Sequence, residues 1–322
     1  MFFGTPQLAV PTLARLLEGP HRVVAVVSQP DRPRGRGRRR SPSPVSERAL
    51  AAALPLLRPE RVGEAGVVSA LQGRAPDLGV VMAFGQFLPK AIRELPRLGY
   101  LINAHASLLP RHRGAAPIAH ALLAGDRETG VSIMRVEREM DAGAVCLEKR
   151  IPIDEADTSG SLEQRLGVLA AEAVAEALDA IAAGQARFVP QDASLASLAP
   201  KLAADDALLD FSAAAAELAR RVRALAPKPG AAAQLGAERL RIHAAHAEPG
   251  PTGCAPGTLR QSAGALCVAT GEGWLVLDRL QRAGGRVLAA EEFLRGFALP
   301  DGARLTRPAA VGGADAATDR RA

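Results

Sequence analysis

The run Tyr100-Leu101-Ile102-Asn103-Ala104-His105-Ala106-Ser107-Leu108-Leu109-Pro110, continuing as Arg111-His112-Arg113-Gly114-Ala115-Ala116-Pro117, decides how this chain is read. It is an apolar strand that gives out into a Ser/Pro/Gly loop. Alternate residues of a strand share a face, so Asn103 and His105 should point the same way at the strand's carboxyl end. In open parallel sheets that edge is where ligands bind. A single His in a buried strand is more often a hydrogen-bonded core residue than a catalyst, so the pair gains meaning only from its company. Asp141, in Met140-Asp141-Ala142-Gly143 at the end of the next apolar segment, supplies a carboxylate, and amide, imidazole and carboxylate can then converge in one pocket.

Toward the N-terminus, Phe2-Phe3-Gly4-Thr5-Pro6 reads as the last residues of a strand turning into a helix, with Thr5 as N-cap and Pro6 at the first helical position. Either the start codon taken here is too late, in which case the reading frame is expected to continue upstream and give a more stable longer protein, or the first strand is simply short. His21 to Ser28, carrying Val23, Val24, Val26 and Val27, has the β-branched signature of a strand buried on both faces. Next comes Pro30-Asp31-Arg32-Pro33-Arg34-Gly35-Arg36-Gly37-Arg38-Arg39-Arg40-Ser41-Pro42-Ser43-Pro44, six arginines against one aspartate, too rich in Pro and Gly for helix or strand. It reads as an exposed basic loop off the same sheet edge as Asn103 and His105.

Helices about 45–53 and 63–74, strands near 54–57 and 78–82, a helix 115–123, strands 130–136 and 144–152 and a long Ala/Leu helix 159–182 complete an alternating pattern. That alternation predicts an α/β domain, doubly wound and Rossmann-like, over 1–188. A linker is expected over 189–206. After a helix at 213–225, short β-like segments spaced by Gly and Pro, up to residue 305, predict a small β-barrel. The Ala/Gly/Asp/Arg tail, 306–322, lacks apolar periodicity and is expected to be disordered.

With 322 residues and 48% hydrophobic content, the chain has the length of two domains rather than one. No apolar stretch is long enough to cross a bilayer, and the opening residues lack the regions of a secretory signal. A soluble, cytoplasmic protein away from membranes is therefore expected, taken to be a monomer. Cys146, Cys254 and Cys267 are odd in number without a close pair, which excludes a zinc spacing and a disulfide framework and suits buried reduced thiols. The net charge of +6 fits a polyanionic partner but decides little alone.

The pattern NxHxSLLPxxRGAAPI over 103–118, with the downstream DxG at 141–143, resembles the formyltransferases that use 10-formyltetrahydrofolate. The flanking sequence is most similar to the methionyl-tRNA formyltransferases of that family. The resemblance covers nearly the whole chain to Leu305. It implies Asn103, His105 and Asp141 as the catalytic residues, and an OB-like barrel as the second domain. It also implies 10-formyltetrahydrofolate as co-substrate, lined by Ser107, Leu108, Leu109 and Pro110 and, in the segment after strand 78–82, by Phe84 and Gly85. The PDRPxGRG run resembles the inserted loop with which these enzymes grip the acceptor stem of initiator methionyl-tRNA. That points to Arg32, Arg34, Arg36, Arg38, Arg39 and Arg40, with Arg36 matching the arginine of GRG. Three residues depart from the family pattern by replacing an aromatic: His112, Leu198 and Lys228.

Formyl transfer to an amine is acyl transfer, whose barrier lies where an oxyanion develops, so the site must present donors there. Asn103 has an amide NH2, and a protonated His105 donates with a full charge. Asp141 would orient the imidazole, favour its charged form and take the amine's proton. No nucleophilic Ser or Cys and no metal is called for, because the substrate's amine attacks. Two other readings share these residues: a formyltransferase for a small amine, glycinamide ribonucleotide or an amino sugar, and a nucleic-acid-binding module on an inactive enzyme fold. Neither small amine needs the arginine loop, and an inactive fold would not need all three catalytic residue types.

Overall fold

The β-branched runs that predict doubly buried strands lie side by side in one sheet of a computed structural model. The structure describes residues 1–34, 39–262, 264–300 and 302–309, with Arg34 and Arg39 described by backbone alone. Two units emerge: Met1–Ala121, Arg127–Asp154 and Ser161–Pro200 form one, and Leu122–Asp126, Glu155–Gly160 and Lys201–Ala322 the other.

The first unit's elements are β1 (Phe2–Gly4), α1 (Val10–Glu18), β2 (Val26–Val27), β3 (Arg32–Arg34), β4 (Arg39–Ser41), α2 (Pro44–Ala51), β5 (Leu56–Leu57) and α3 (Ala65–Gln72). They continue with β6 (Gly79–Met82), α4 (Lys90–Arg93), β7 (Leu101–His105), α5 (Pro117–Ala124), β8 (Glu128–Arg135), β9 (Val145–Pro152) and α6 (Ser159–Ala182), α5 and α6 each running partly into the other unit. The sheet order is β5-β2-β1-β6-β7-β8-β9. Its first five strands are parallel, whereas β8 and β9 form an antiparallel edge. From β1 the chain winds outward to β2 and β5, then returns to β6 and β7 on the other side. That reversal is the topological switch point at which such sheets bind ligands.

The central strands are apolar because both faces are covered: Phe2, Phe3, Val26, Val27, Leu101 and Ile102 are fully buried. Each such side chain is worth about 1.5–3 kcal/mol relative to exposure. Around the sheet, α2 starts where Ser43 Oγ accepts the Ser46 N–H at 3.0 Å, with Pro44 at its first position. Leu162, Leu166, Ala170, Ala173, Val174 and Ala177 make the buried stripe of α6 at helical spacing.

Several expectations need correction. Thr5 is no helix cap: its hydroxyl donates to the Phe84 carbonyl at 2.8 Å, and a 3-10 turn at Gln7–Ala9 precedes α1. The His21–Ser28 run forms a ladder only at Val26–Val27, since its neighbours β1 and β5 offer three and two residues. The basic loop is a hairpin, with Arg32 opposite Ser41 and Arg34 opposite Arg39; paired backbone groups there override the poor strand propensity of Arg and Pro. Of the arginines expected to bind, Arg36 and Arg38 lie outside the described residues, as does the tail from 310 onward. The expected linker is docked on the first unit as far as Pro200: Val189 pairs with Val145, and Ser197 and Ala199 bond to Arg113. Among the cysteines only Cys267 is buried, while Cys254 is exposed. Burial pushes the half-buried Cys146 thiol up to about 11.

The second unit consists of α7 (Ala215–Leu225), β10 (Ala231–Leu235), β11 (Glu238–Glu248), β12 (Leu259–Ser262), β13 (Ala265–Ala269), β14 (Trp274–Arg282), β15 (Val287–Ala289), α8 (Ala290–Gly296) and β16 (Leu305–Thr306). An antiparallel sheet in the order β12-β13-β14-β11-β10-β16, with β15 beside β14, curls into a half-barrel of OB-like character. Its ends meet where Leu259 N–H donates to the Ala303 carbonyl and Leu305 N–H to that of Gly257. A register shift in β11 between Ile242 and Ala245 assists the curl. Leu209, Val222, Ala231, Ile242, Leu275 and Leu280 are among its fully buried core residues. The chain stays in the sheet to Thr306, one residue into the segment expected to be disordered.

Candidate active site

On β7, Asn103 lies in register with Val81 of β6 and Met134 of β8, and His105 with Ser132. Two residues apart on one strand, they share a face. His105 is buried and Asn103 half-buried. Beyond His105 the loop is tied down by the hydroxyl of Ser132, which donates to the Ser107 carbonyl at 2.8 Å and accepts the Leu109 N–H at 3.0 Å. Ser107 in turn donates its own hydroxyl to the Arg111 carbonyl at 2.7 Å, so it is a loop-forming residue rather than a poised nucleophile.

The imidazole is oriented from a direction the sequence did not suggest. His105 Nε2 donates to the carbonyl of His112 at 2.9 Å, and a carbonyl can only accept. His112 supplies that oxygen from the left-handed region, φ +58, with its N–H held by Ser197 Oγ at 2.9 Å. The other ring nitrogen, Nδ1, faces Asp141 Oδ2 at 3.6 Å, with the side chains 6% and 14% exposed. This is longer than a hydrogen bond, so the carboxylate lies beside the ring as a charge and leaves the Nδ1 edge open to a ligand. The hydrogen bond that orients the ring is thus the one to the main-chain oxygen of His112, with the Asp141 carboxylate beside it.

Asp141 sits in the loop between β8 and β9, itself at φ +51. Its Oδ2 accepts the Gly114 N–H at 2.8 Å, so the two loops that follow β7 and β8 are joined through the carboxylate. Gln191 Nε2 reaches both the Asp141 and the Gly143 carbonyls at 2.8 Å, and its Oε1 accepts from Arg113 Nε at 3.0 Å and Nη2 at 2.8 Å. Two glycines of the motif have steric reasons. A Cβ on Gly143 would collide with the Arg135 carbonyl. Gly114 has φ +126, and a Cβ there would stand 2.6 Å from the Ala199 carbonyl. Gly114→Ala should accordingly lose about 1–3 kcal/mol from strain and displace the N–H that holds Asp141, reducing both melting temperature and turnover. A thermal melt with steady-state kinetics checks this.

Of the residues expected along a folate, Leu108 and Pro110 are partly exposed and Gly85, φ +84, is exposed. The Phe84 ring instead packs edge-on against Phe3 at 5.5 Å in the core, and its carbonyl accepts from Thr5 and, at 3.3 Å, from Gln29 Nε2. Ser107 and Leu109 are buried too, the Ser107 hydroxyl being held by the Arg111 carbonyl. The arginine hairpin leaves the carboxyl end of β2 on the same edge of the sheet. Its base is held by Arg32 Nη2 on Gln29 Oε1 at 3.5 Å and by Arg58 Nη1 on both oxygens of Asp31 at 2.7 Å. Arg32 and Arg40 are exposed. Among the described residues no group of three or more His, Cys, Asp or Glu is placed to hold a metal ion, and no helix is long and apolar enough to cross a membrane.

Gln191, Arg113, Ser132 and Ser197 support the site and were missed by reasoning from sequence. Gln191 lies in the expected linker, and no periodicity marks it.

A family model described as formyl transferase matches residues 1–178, and one described as formyl transferase, C-terminal domain matches 201–298. Methionyl-tRNA formyltransferase of Stutzerimonas stutzeri (strain A1501) is 46% identical over 289 residues, covering 89% of this chain and 91% of its own. The protein of that name from Halorhodospira halophila (strain DSM 244 / SL1) is also 46% identical, over 94% of this chain and 97% of its own. In fold, the chain is similar to an N-formyltransferase of Helicobacter canadensis crystallised with folinic acid and dTDP-3-aminofucose. That likeness has a TM-score of 0.64 at 14% identity, over 86% of this chain and 97% of that one.

Proposed function

Since the chain belongs to the formyl transferase family, we propose that it transfers the formyl group of 10-formyltetrahydrofolate to the free amino group of initiator methionyl-tRNA, for translation initiation in the cytoplasm. One observation carries this reading: identity of 42–47% over nearly the full length, through both units, to proteins named methionyl-tRNA formyltransferase. Residues 1–188 would form the catalytic domain and 207–305 a tRNA-binding domain.

Asn103, His105 and Asp141 are the catalytic residues of this proposal. The folate co-substrate, when bound, supplies an activated formyl group. Its site fits the carboxyl edge between the loops after β6 and β7, where Gly85 leaves room and Leu108 and Pro110 offer apolar surface. The Asn103 amide and the Nδ1 edge of His105 donate where negative charge grows on the formyl oxygen, at a site where His105 is buried and Asn103 and Asp141 are partly buried, which strengthens such contacts. His105 can hold that pose because the His112 carbonyl fixes its Nε2. Asp141, fixed by the Gly114 N–H, receives the proton that the amine sheds and passes it to N10 of the folate as the bond between the formyl carbon and N10 breaks, so that tetrahydrofolate leaves neutral. An unperturbed α-amino group titrates near about 7.7–8.0 and an ester lowers it further, so much of the amine is neutral at physiological pH and no strong base is needed.

The test is formyl-donor-dependent modification of methionyl-tRNA, glycinamide ribonucleotide and an amino-sugar nucleotide by the purified chain. Methionyl-tRNA should be formylated with by far the highest kcat/KM. Preference for either small amine would overturn the reading.

A further inference from the structure

Asp141 faces His105 from a backbone at φ +51, in the left-handed region that is uncommon for non-glycine residues although Asp is among those that enter it most readily. One side chain resists its escape. A primary amide has two N–H donors and a carbonyl oxygen with two lone pairs, and Gln191 has all four engaged. Its donors go to the Asp141 and Gly143 carbonyls at 2.8 Å each, and its oxygen takes Arg113 Nε and Nη2 at 3.0 and 2.8 Å. Arg113 is a firm anchor. The residue is 8% exposed, its N–H donates to the Ser197 carbonyl at 2.8 Å, and its carbonyl accepts the Ala199 N–H at 2.7 Å. Arg113 also lies between His112, whose carbonyl orients His105, and Gly114, whose N–H binds Asp141. The amide therefore bridges the backbone carrying the imidazole's support to the backbone carrying the carboxylate.

We propose that Gln191, clamped by Arg113, is a positioning residue for the reaction, holding the Asp141 main chain so that the carboxylate faces His105 Nδ1. The inference rests on the assignment of His105 and Asp141 to catalysis made above. Only an amide of this length satisfies both sides. Ionised Glu keeps the acceptors for Arg113 but sets oxygen against the two carbonyls, and Met fills the same space with no bond to either side.

The experiment measures kcat and both KM values, with methionyl-tRNA and 10-formyltetrahydrofolate, for the full chain carrying Gln191→Met, Gln191→Glu, Asp141→Asn, and each Gln191 change combined with Asp141→Asn. A misplacement of about 1 Å can cost as much as about 100-fold, so either Gln191 change alone should lower kcat by roughly 10- to 100-fold with little movement in KM. With Asp141→Asn already present, the same change should cost far less, because the group being positioned is gone. A merely structural role would give equal losses in both backgrounds. Parent-like kcat, a change confined to KM, or equal losses would each overturn the proposal. Were Asp141→Asn itself as fast as the parent, the catalytic assignment would fall, which is a distinguishable result. Melting temperatures identify loss of fold, and Gln191→Glu, which retains the Arg113 bonds, carries the test should Gln191→Met not fold.

Discussion

His105→Ala should turn over methionyl-tRNA at least about 100-fold more slowly than the parent chain, the scale on which removal of one oxyanion donor is felt. Asp141→Asn should fall on the same scale. The substitution keeps the shape of the side chain and one acceptor for the Gly114 N–H, so the loops stay joined while the proton acceptor is removed. In both variants the KM for tRNA and for folate should change little, since these groups act on charge that appears only as the bond forms. Removing His105 leaves the His112 carbonyl buried without its donor, which adds a modest loss of stability, about 1–3 kcal/mol. Melting curves beside the kinetics separate the two effects. Near-parent turnover in either variant would refute the catalytic assignment.

The parts of this site that could be read from sequence are those governed by local rules. The pairing of Asn103 with His105 follows from the period of a strand, and α6 spans the residues, 159–182, that its apolar spacing predicts. What stayed hidden depends on contacts far apart in the chain. Gln191 meets the Asp141 carbonyl across 50 residues, from a segment whose composition reads as linker. The His112 carbonyl is a main-chain group, and no side-chain pattern reports where it points. β10, with the sequence Ala-Ala-Ala-Gln-Leu, has little strand propensity of its own and exists because β11 and β16 pair with it on either side. The same override makes a hairpin of the arginine-rich run: its ladder, from Arg32–Ser41 to Arg34–Arg39, comes from backbone bonds that composition does not report.

That hairpin underlies the second large effect. In the sheet order β2-β1-β6-β7, the strand from which the hairpin departs and the strand that carries His105 are three spacings apart, roughly 14 Å at the usual interstrand distance. A polyanion held at the hairpin can therefore pass one end to His105 along the same edge. Replacing Arg36, Arg38, Arg39 and Arg40 by Ala should weaken tRNA binding and flatten its salt dependence, because every phosphate that an arginine no longer neutralises removes about 0.7–0.9 from the slope of log K against log salt. If all four touch phosphates, the slope should fall by about 3. The folate side should be spared: 10-formyltetrahydrofolate binding should survive with the parent affinity, since the groups assigned to it lie in the loops after β6 and β7. Arg36→Ala alone should lower kcat/KM for methionyl-tRNA, and Arg36→Lys distinguishes the two ways of holding a phosphate. A lysine that restores both affinity and slope marks a point-charge interaction. A lysine that restores the slope but not the affinity marks bidentate bonding that only a guanidinium supplies. An unchanged affinity and slope after all four replacements would reduce the hairpin to a solvated charge run, and would leave the small-amine formyltransferases as the better account of a site that keeps the same Asn, His and Asp.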